Sequence, residues 1–217
     1  MKNMQAEIFE KFHSVGIIPV VEIDDAKNAL PLAEALCAGG LPIAEITLRT
    51  DAALEAIRQI ARGRVDVLVG AGTIVNREQA RAAREAGARF LVSPGMVEEV
   101  VVWARENQVP VVAGAVTPTE MIHGINLGLD VLKFFPTETM GGLKAIKAMS
   151  DPFPQLRFIP TGGIGLENMA EYLRMEKIHA VGGSWMAKRQ TIADGKFDEI
   201  TRMAKQASDI VKQIRRR

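Results

Sequence analysis

The sequence predicts an α/β protein: a single (β/α)8 TIM barrel with an extra N-terminal helix, occupying residues 1–217 as one domain. Three observations carry this reading. Eight short runs rich in Val and Ile recur along the chain, a longer pattern at helical spacing follows each, and Gly72, Pro160 and Gly183 directly follow three of them. Strands joined through helices pair in parallel, because each crossover returns the chain to the same edge of the sheet. Eight such units are the number that closes a barrel.

The runs are Ile17–Ile23, Ile43–Leu48, Val67–Ala71, Arg89–Val92, Val109–Val112, Val131–Phe134, Arg157–Ile159 and Ala180–Gly182. Continuous apolar runs of this length suit strands covered on both faces. Asn3–His13 reads as the helix in front. The stretch Asp51–Ala61 opens on Asp as a cap and places Leu54, Ile57 and Ile60 on one face. Within Gln79–Gly87, Ala80, Ala83 and Ala86 alternate with Arg and Glu before Gly87 stops the helix. Thr117-Pro118-Thr119-Glu120 supplies an N-cap, a proline at the first helical position and an acidic first turn. The competing architecture is a doubly wound open sheet. Gly70-Ala71-Gly72 resembles the opening of a dinucleotide fingerprint, but Val75 stands where its third glycine is required, and no GxxxxGK[ST] segment is present.

Composition excludes several function classes. With 27 Lys and Arg against 26 Asp and Glu, the net charge of +1 draws the chain to neither nucleic acid nor an anionic membrane. The single Cys37 cannot form an internal disulfide. The polar start MKNMQAEIFEKFH lacks the apolar core of a signal peptide, so a cytoplasmic location is expected. His13, His123 and His179 are scattered without ligand spacing, so a catalytic metal is not expected. Trp103 and Trp185 read as packing residues, and the arginines of Ile214–Arg217 as a helix end rather than an RNA contact.

Chemistry in such a barrel sits at the carboxyl ends of the strands. Lys133 is the sharpest candidate, enclosed in the apolar run Val131-Leu132-Lys133-Phe134-Phe135-Pro136. Burial favours the neutral amine over the ammonium, and a neutral amine attacks carbonyl carbons to form Schiff bases. In Glu45-Ile46-Thr47-Leu48-Arg49, alternation places residues 45, 47 and 49 on the barrel's inner face and Ile46 and Leu48 toward the helices. Glu45 can move protons there, and Arg49 presents a planar fork for a carboxylate, its charge also disfavouring a protonated Lys133. Thr161-Gly162-Gly163-Ile164 and Gly182-Gly183-Ser184 follow the seventh and eighth runs, where barrels hold phosphate on backbone N–H groups and hydroxyls.

Ile-Pro-Val at 18–20, Glu-Ile-Thr-Leu-Arg-Thr at 45–50, Val-Gly-Ala-Gly-Thr at 69–73, Ser-Pro-Gly at 93–95, Lys-Phe-Phe-Pro at 133–136, Pro-Thr-Gly-Gly-Ile at 160–164 and Gly-Gly-Ser-Trp at 182–185 form seven blocks in order over nearly the whole chain. The chain resembles the 2-keto-3-deoxy-6-phosphogluconate (KDPG) and 4-hydroxy-2-oxoglutarate (KHG) aldolase family of class I pyruvate aldolases. The resemblance implies that Lys133 is the Schiff-base lysine and Glu45 the general acid/base, without metal or cofactor. It implies that Arg49 and Thr73 hold the pyruvyl carboxylate, and that Pro94 and Phe135 line the pocket. Thr161 would contact the substrate and influence stereochemistry, while Gly162, Gly163, Gly183 and Ser184 would receive its phosphate. A homotrimer is also implied. Gly165, where many members carry a polar cap, and Met186-Ala187 depart mildly from the family pattern. A phosphate-binding isomerase or epimerase, or a non-catalytic sensor, would account for the glycine turns but would leave Lys133 without a task.

Overall fold

The computed structural model describes residues 2–215. Arg216 and Arg217 of the basic tail lie outside the described residues. The chain opens with α1 (Lys2–Val15), β1 (Ile17–Val21), α2 (Ala29–Ala38), β2 (Ile43–Thr47), α3 (Ala53–Arg62) and β3 (Leu68–Gly72). It continues with α4 (Arg77–Ala86), β4 (Leu91–Val92), α5 (Glu98–Glu106), β5 (Val111–Val112), α6 (Pro118–Asn126) and β6 (Val131–Phe134). It ends with α7 (Gly142–Ser150), β7 (Arg157–Pro160), α8 (Met169–Leu173), β8 (Val181–Gly183), α9 (Arg189–Ala193) and α10 (Phe197–Arg215).

All eight expected runs become strands, and all pair in parallel. Their ladders are not evenly distributed. Six strands form a curled sheet in the order β5-β4-β3-β2-β1-β8, and β6 pairs with β7 as a separate ladder. The ladders meet through single bridges, Gly114 with Lys133 and Thr161 with Gly182. The run 5-4-3-2-1 has none of the order reversal that defines a doubly wound sheet, which removes that alternative.

The helix termini show which local signals act. Thr117 and Glu120 form a complete capping box at α6, and Gly87 ends α4 at φ 107°, where a side chain would be strained. Asp51 does not cap α3; that helix begins two residues later after Ala52, with no side-chain cap. Among the described helices none is long and apolar enough to cross a membrane.

Strand alternation divides the core in two. Ile17, Ala44, Ile46, Ala71, Leu132 and Phe134 face the helices. Their neighbours Ile18, Ile43 and Val131 face inward and meet Ile8 and Phe12 of α1, together with Phe90, Val92, Val112 and Ile159. Phe12 is fully buried, and its ring stands edge-on to Phe90 with centroids 4.8 Å apart. Phe90 in turn lies over Gly70, where a Cβ would come within 2.4 Å of the ring. Helix α1 therefore plugs the amino end of the sheet.

His179 fastens this plug. Its Nε2 lies 2.8 Å from the Phe9 carbonyl, its ring is 5.3 Å from that of His13, and its own carbonyl accepts from Arg215 of α10. Burial pushes the His179 imidazole below the usual histidine range, opposed by its bond to Phe9 and reinforced by His13 and Arg215. Two of the three histidines are thus neighbours, although they are remote in sequence. Their contacts tie down the two terminal helices.

Phe12→Ala is expected to destabilise the fold by about 3–5 kcal/mol, the usual range for removing a buried phenylalanine. Urea unfolding would register this as a lower midpoint with an unchanged slope.

Candidate active site

The inward face changes character along each strand. On β2 it runs Ile43, Glu45, Thr47, and on β6 it runs Val131, Lys133, so the apolar plug gives way to polar groups toward the carboxyl ends. Lys133 Nζ donates to Glu45 Oε1 at 3.4 Å, and the two side chains are only 6% and 4% exposed. The Phe135 ring lies 5.2 Å from the same Nζ.

Both partners are held by features of the backbone. Glu45 needs the bare backbone of Gly72, since a Cβ there would stand 2.1 Å from Oε1. Thr137, fully buried, donates its hydroxyl to Phe134 O at 2.6 Å and accepts from Thr161 N at 2.8 Å. This stitches the end of β6, which carries Lys133, to Thr161, the residue that follows β7. Gly182 leaves room for the Thr161 hydroxyl, which would lie 2.2 Å from a Cβ.

A cavity of about 320 Å³ opens onto Lys133, its walls including Thr47, Arg49, Phe135, Thr161, Gly162, Gly163, Gly183 and Ser184, while Glu45 and Thr73 lie behind those walls. Gly162 and Gly163 take φ values of 96° and 79°, so their turn requires glycine. Glu138 packs against Gly163, and its carboxylate accepts from the Tyr172 hydroxyl. Burial, and then this bond, push that hydroxyl well above the ordinary tyrosine range. Trp185 lies against Gly183, so it packs, as its sequence context suggested.

Arg49 departs from the expected strand geometry. Strand β2 ends at Thr47, so Arg49 stands in the following turn with its side chain 46% exposed. It nevertheless reaches the cavity wall and donates Nε to Thr73 Oγ1 at 3.2 Å, while Thr73 holds a left-handed φ of 60°. Thr47, by contrast, commits its hydroxyl to Val21 O at 2.9 Å. Pro94 is outside the cavity walls; its carbonyl lies against Gly114, beside the bridge to Lys133. Gly165 does not sit at the start of a helix, because Asn168 turns back to accept from Gly165 N and α8 begins at Met169.

Gly72, Thr137, Glu22 and Arg189 line or support this region without having been singled out from the sequence. A small residue packed against a carboxylate from the next strand has no one-dimensional signature. A larger cavity of about 520 Å³ lies at the amino ends of the strands, where His179 and Arg157 spend their polar groups on the backbone carbonyls of Phe9, Pro154 and Leu156. Among the described residues no three His, Cys, Asp or Glu side chains converge as a metal site. What the upper cavity offers is a buried amine against a carboxylate, a guanidinium at the wall and a glycine-rich turn. That set suits covalent capture of a carbonyl carrying anionic groups.

Comparison with known proteins agrees. The family model "KDPG and KHG aldolase" matches residues 8–203. The 2-dehydro-3-deoxy-phosphogluconate aldolase of Treponema pallidum is 44% identical over 94% of this chain and 97% of its own, and the KHG/KDPG aldolase of Escherichia coli K12 is 40% identical over 95% and 97%. A KDPG aldolase from Legionella pneumophila, solved with pyruvate captured as a covalent carbinolamine, superposes with a TM-score of 0.88 at 37% identity, covering 92% of this chain and 97% of that one. The chain belongs to the KDPG and KHG aldolase family.

Proposed function

We propose that the protein is a class I aldolase that cleaves 2-keto-3-deoxy-6-phosphogluconate to pyruvate and glyceraldehyde 3-phosphate, and 4-hydroxy-2-oxoglutarate to pyruvate and glyoxylate. The observation that carries this reading is the Lys133–Glu45 contact, 3.4 Å long and nearly sealed from water, with Lys133 in the cavity wall and Glu45 packed behind it. An isomerase or a sensor gives that pair nothing to do. Eight strands bridged at both seams support a closed barrel, and we read residues 1–217 as one such domain. The homotrimer and the cytoplasmic location implied by the resemblance belong to the same reading.

Lys133 Nζ attacks the C2 ketone, and loss of water leaves an iminium. Glu45 takes the proton of the C4 hydroxyl, the C3–C4 bond breaks, and its electron pair enters the iminium to form an enamine as the aldehyde departs. Glu45, now a carboxylic acid, returns its proton to C3. Water then hydrolyses the iminium and frees pyruvate and Lys133. Arg49 and Thr73 hold the pyruvyl carboxylate at the wall, with Phe135 beside it, while Pro94 packs behind against Gly114. Thr161 faces the reacting carbons and biases the face of attack. Gly162, Gly163, Gly183 and Ser184 hold the phosphate, remote from the breaking bond, so that grip supplies orientation and affinity.

Borohydride reduction in the presence of pyruvate is expected to leave one adduct on Lys133 by peptide mass spectrometry. Lys133→Ala should abolish both adduct and cleavage, and near-normal turnover in that variant would refute the mechanism. Gly72→Ala drives a methyl group into Glu45, so proton exchange at the pyruvate methyl should fall by about 100-fold or more, within the range for loss of general acid–base catalysis. Ser184→Ala should raise KM for the phosphorylated substrate and not for 4-hydroxy-2-oxoglutarate; equal effects would remove Ser184 from the phosphate site.

A further inference from the structure

At the cavity rim, a chain of charges from three separate loops has no part in the steps above. Glu22 and Asp24 follow β1, Arg49 follows β2, and Arg189 opens α9. Every donor group of the Arg189 fork is engaged. Nε and Nη2 donate to Asp24 Oδ2 and Oδ1 at 2.6 and 2.5 Å, and Nη1 donates to Glu22 Oε1. The other Glu22 oxygen, Oε2, stands 3.7 Å from Arg49 Nη1, within ion-pair range but longer than a hydrogen bond. Glu22, Arg49 and Arg189 all line the cavity.

We propose that Arg189 is a positioning residue for the carboxylate subsite: by holding Glu22 back through Oε1, itself braced on Asp24, it keeps the Arg49 guanidinium open for the substrate's carboxylate. This rests on the reading of Arg49 as a ligand of the pyruvyl carboxylate. Glu22 carries the same functional group as that ligand and is tethered to the same wall, so its effective concentration at Arg49 exceeds that of any free keto acid. A carboxylate with no other cation would close on Arg49 and occupy the subsite. Arg189 provides the other cation. Its planar fork, fixed bidentately by Asp24, gives the Glu22 oxygen a directed alternative, which a flexible ammonium would supply less well. The 3.7 Å gap between Glu22 and Arg49 is the geometric trace of that division. The side chains of Arg189, Arg49 and Glu22 are 56%, 46% and 26% exposed, so water and salt moderate the effect.

Exchange of the pyruvate methyl protons with solvent deuterium, followed by NMR on the full chain, separates affinity from turnover. Arg189→Ala is expected to raise KM for pyruvate by about fivefold, the upper reach of an exposed ion pair, with the maximal exchange rate unchanged. Adding Glu22→Gln to that variant should return KM to the wild-type value, and Glu22→Gln alone should not raise it. A wild-type KM in Arg189→Ala, a rise that Glu22→Gln fails to reverse, or a rise caused by Glu22→Gln alone would overturn the proposal. Arg49→Ala distinguishes the two levels. If it raises KM while Arg189→Ala does not, only the role of Arg189 fails; if it leaves KM unchanged, the reading of Arg49 itself fails.

Discussion

The upper half of the molecule is organised around one buried contact, the Lys133 amine against the Glu45 carboxylate. Removing two ionisable groups from water is costly, and the cost is tolerable only when each group finds its partner in good geometry. Several features of the fold meet that requirement. Gly72 clears the space for the carboxylate, the Gly114 bridge sets the height of β6 against β5, and Thr137 stitches β6 to β7. The same low exposure that makes the pair expensive keeps solvent from both the amine and the carboxylate.

Such a pair needs rigid surroundings, and the lower half supplies them. Phe12 and Phe90 fill the amino end with interlocked rings, while the terminal helices close over them through His179. Packing of this density resists small displacements, so the strands present Lys133 and Glu45 at a constant separation. The interior thus divides in two, with apolar packing at the amino ends of the strands and the buried amine and carboxylate toward the carboxyl ends. The loops above are more exposed and carry the charged groups at the cavity rim, among them Arg49, Glu22 and Arg189.

Much of this was legible in the chain because it depends on local periodicity. All eight strands were readable as short apolar runs, and the inward parity of Glu45 and Thr47 followed from alternation along β2. Lys133 stood out because a cation within an apolar run calls for a chemical reason. Reading failed where a residue's role depends on what approaches it from elsewhere. Arg49 was placed on the strand face but stands in the turn beyond it, because β2 loses its ladder partner after Thr47. His13 and His179 looked unrelated, yet α1 folds back to bring their rings together.

The sequence by itself determined the alternation of strands and helices, the residues that face inward, and the identity of the amine, the carboxylate and the glycine turns. Periodicity and residue chemistry are properties of neighbours along the chain, so one dimension suffices to show them. Only the tertiary structure decided how the eight strands divide into a sheet of six and a pair, that Gly72 is the space Glu45 occupies, and that Glu22 stands between Arg189 and Arg49. Each of these depends on atoms distant in sequence meeting within a few ångströms. Packing geometry sets those distances, and no local pattern encodes them.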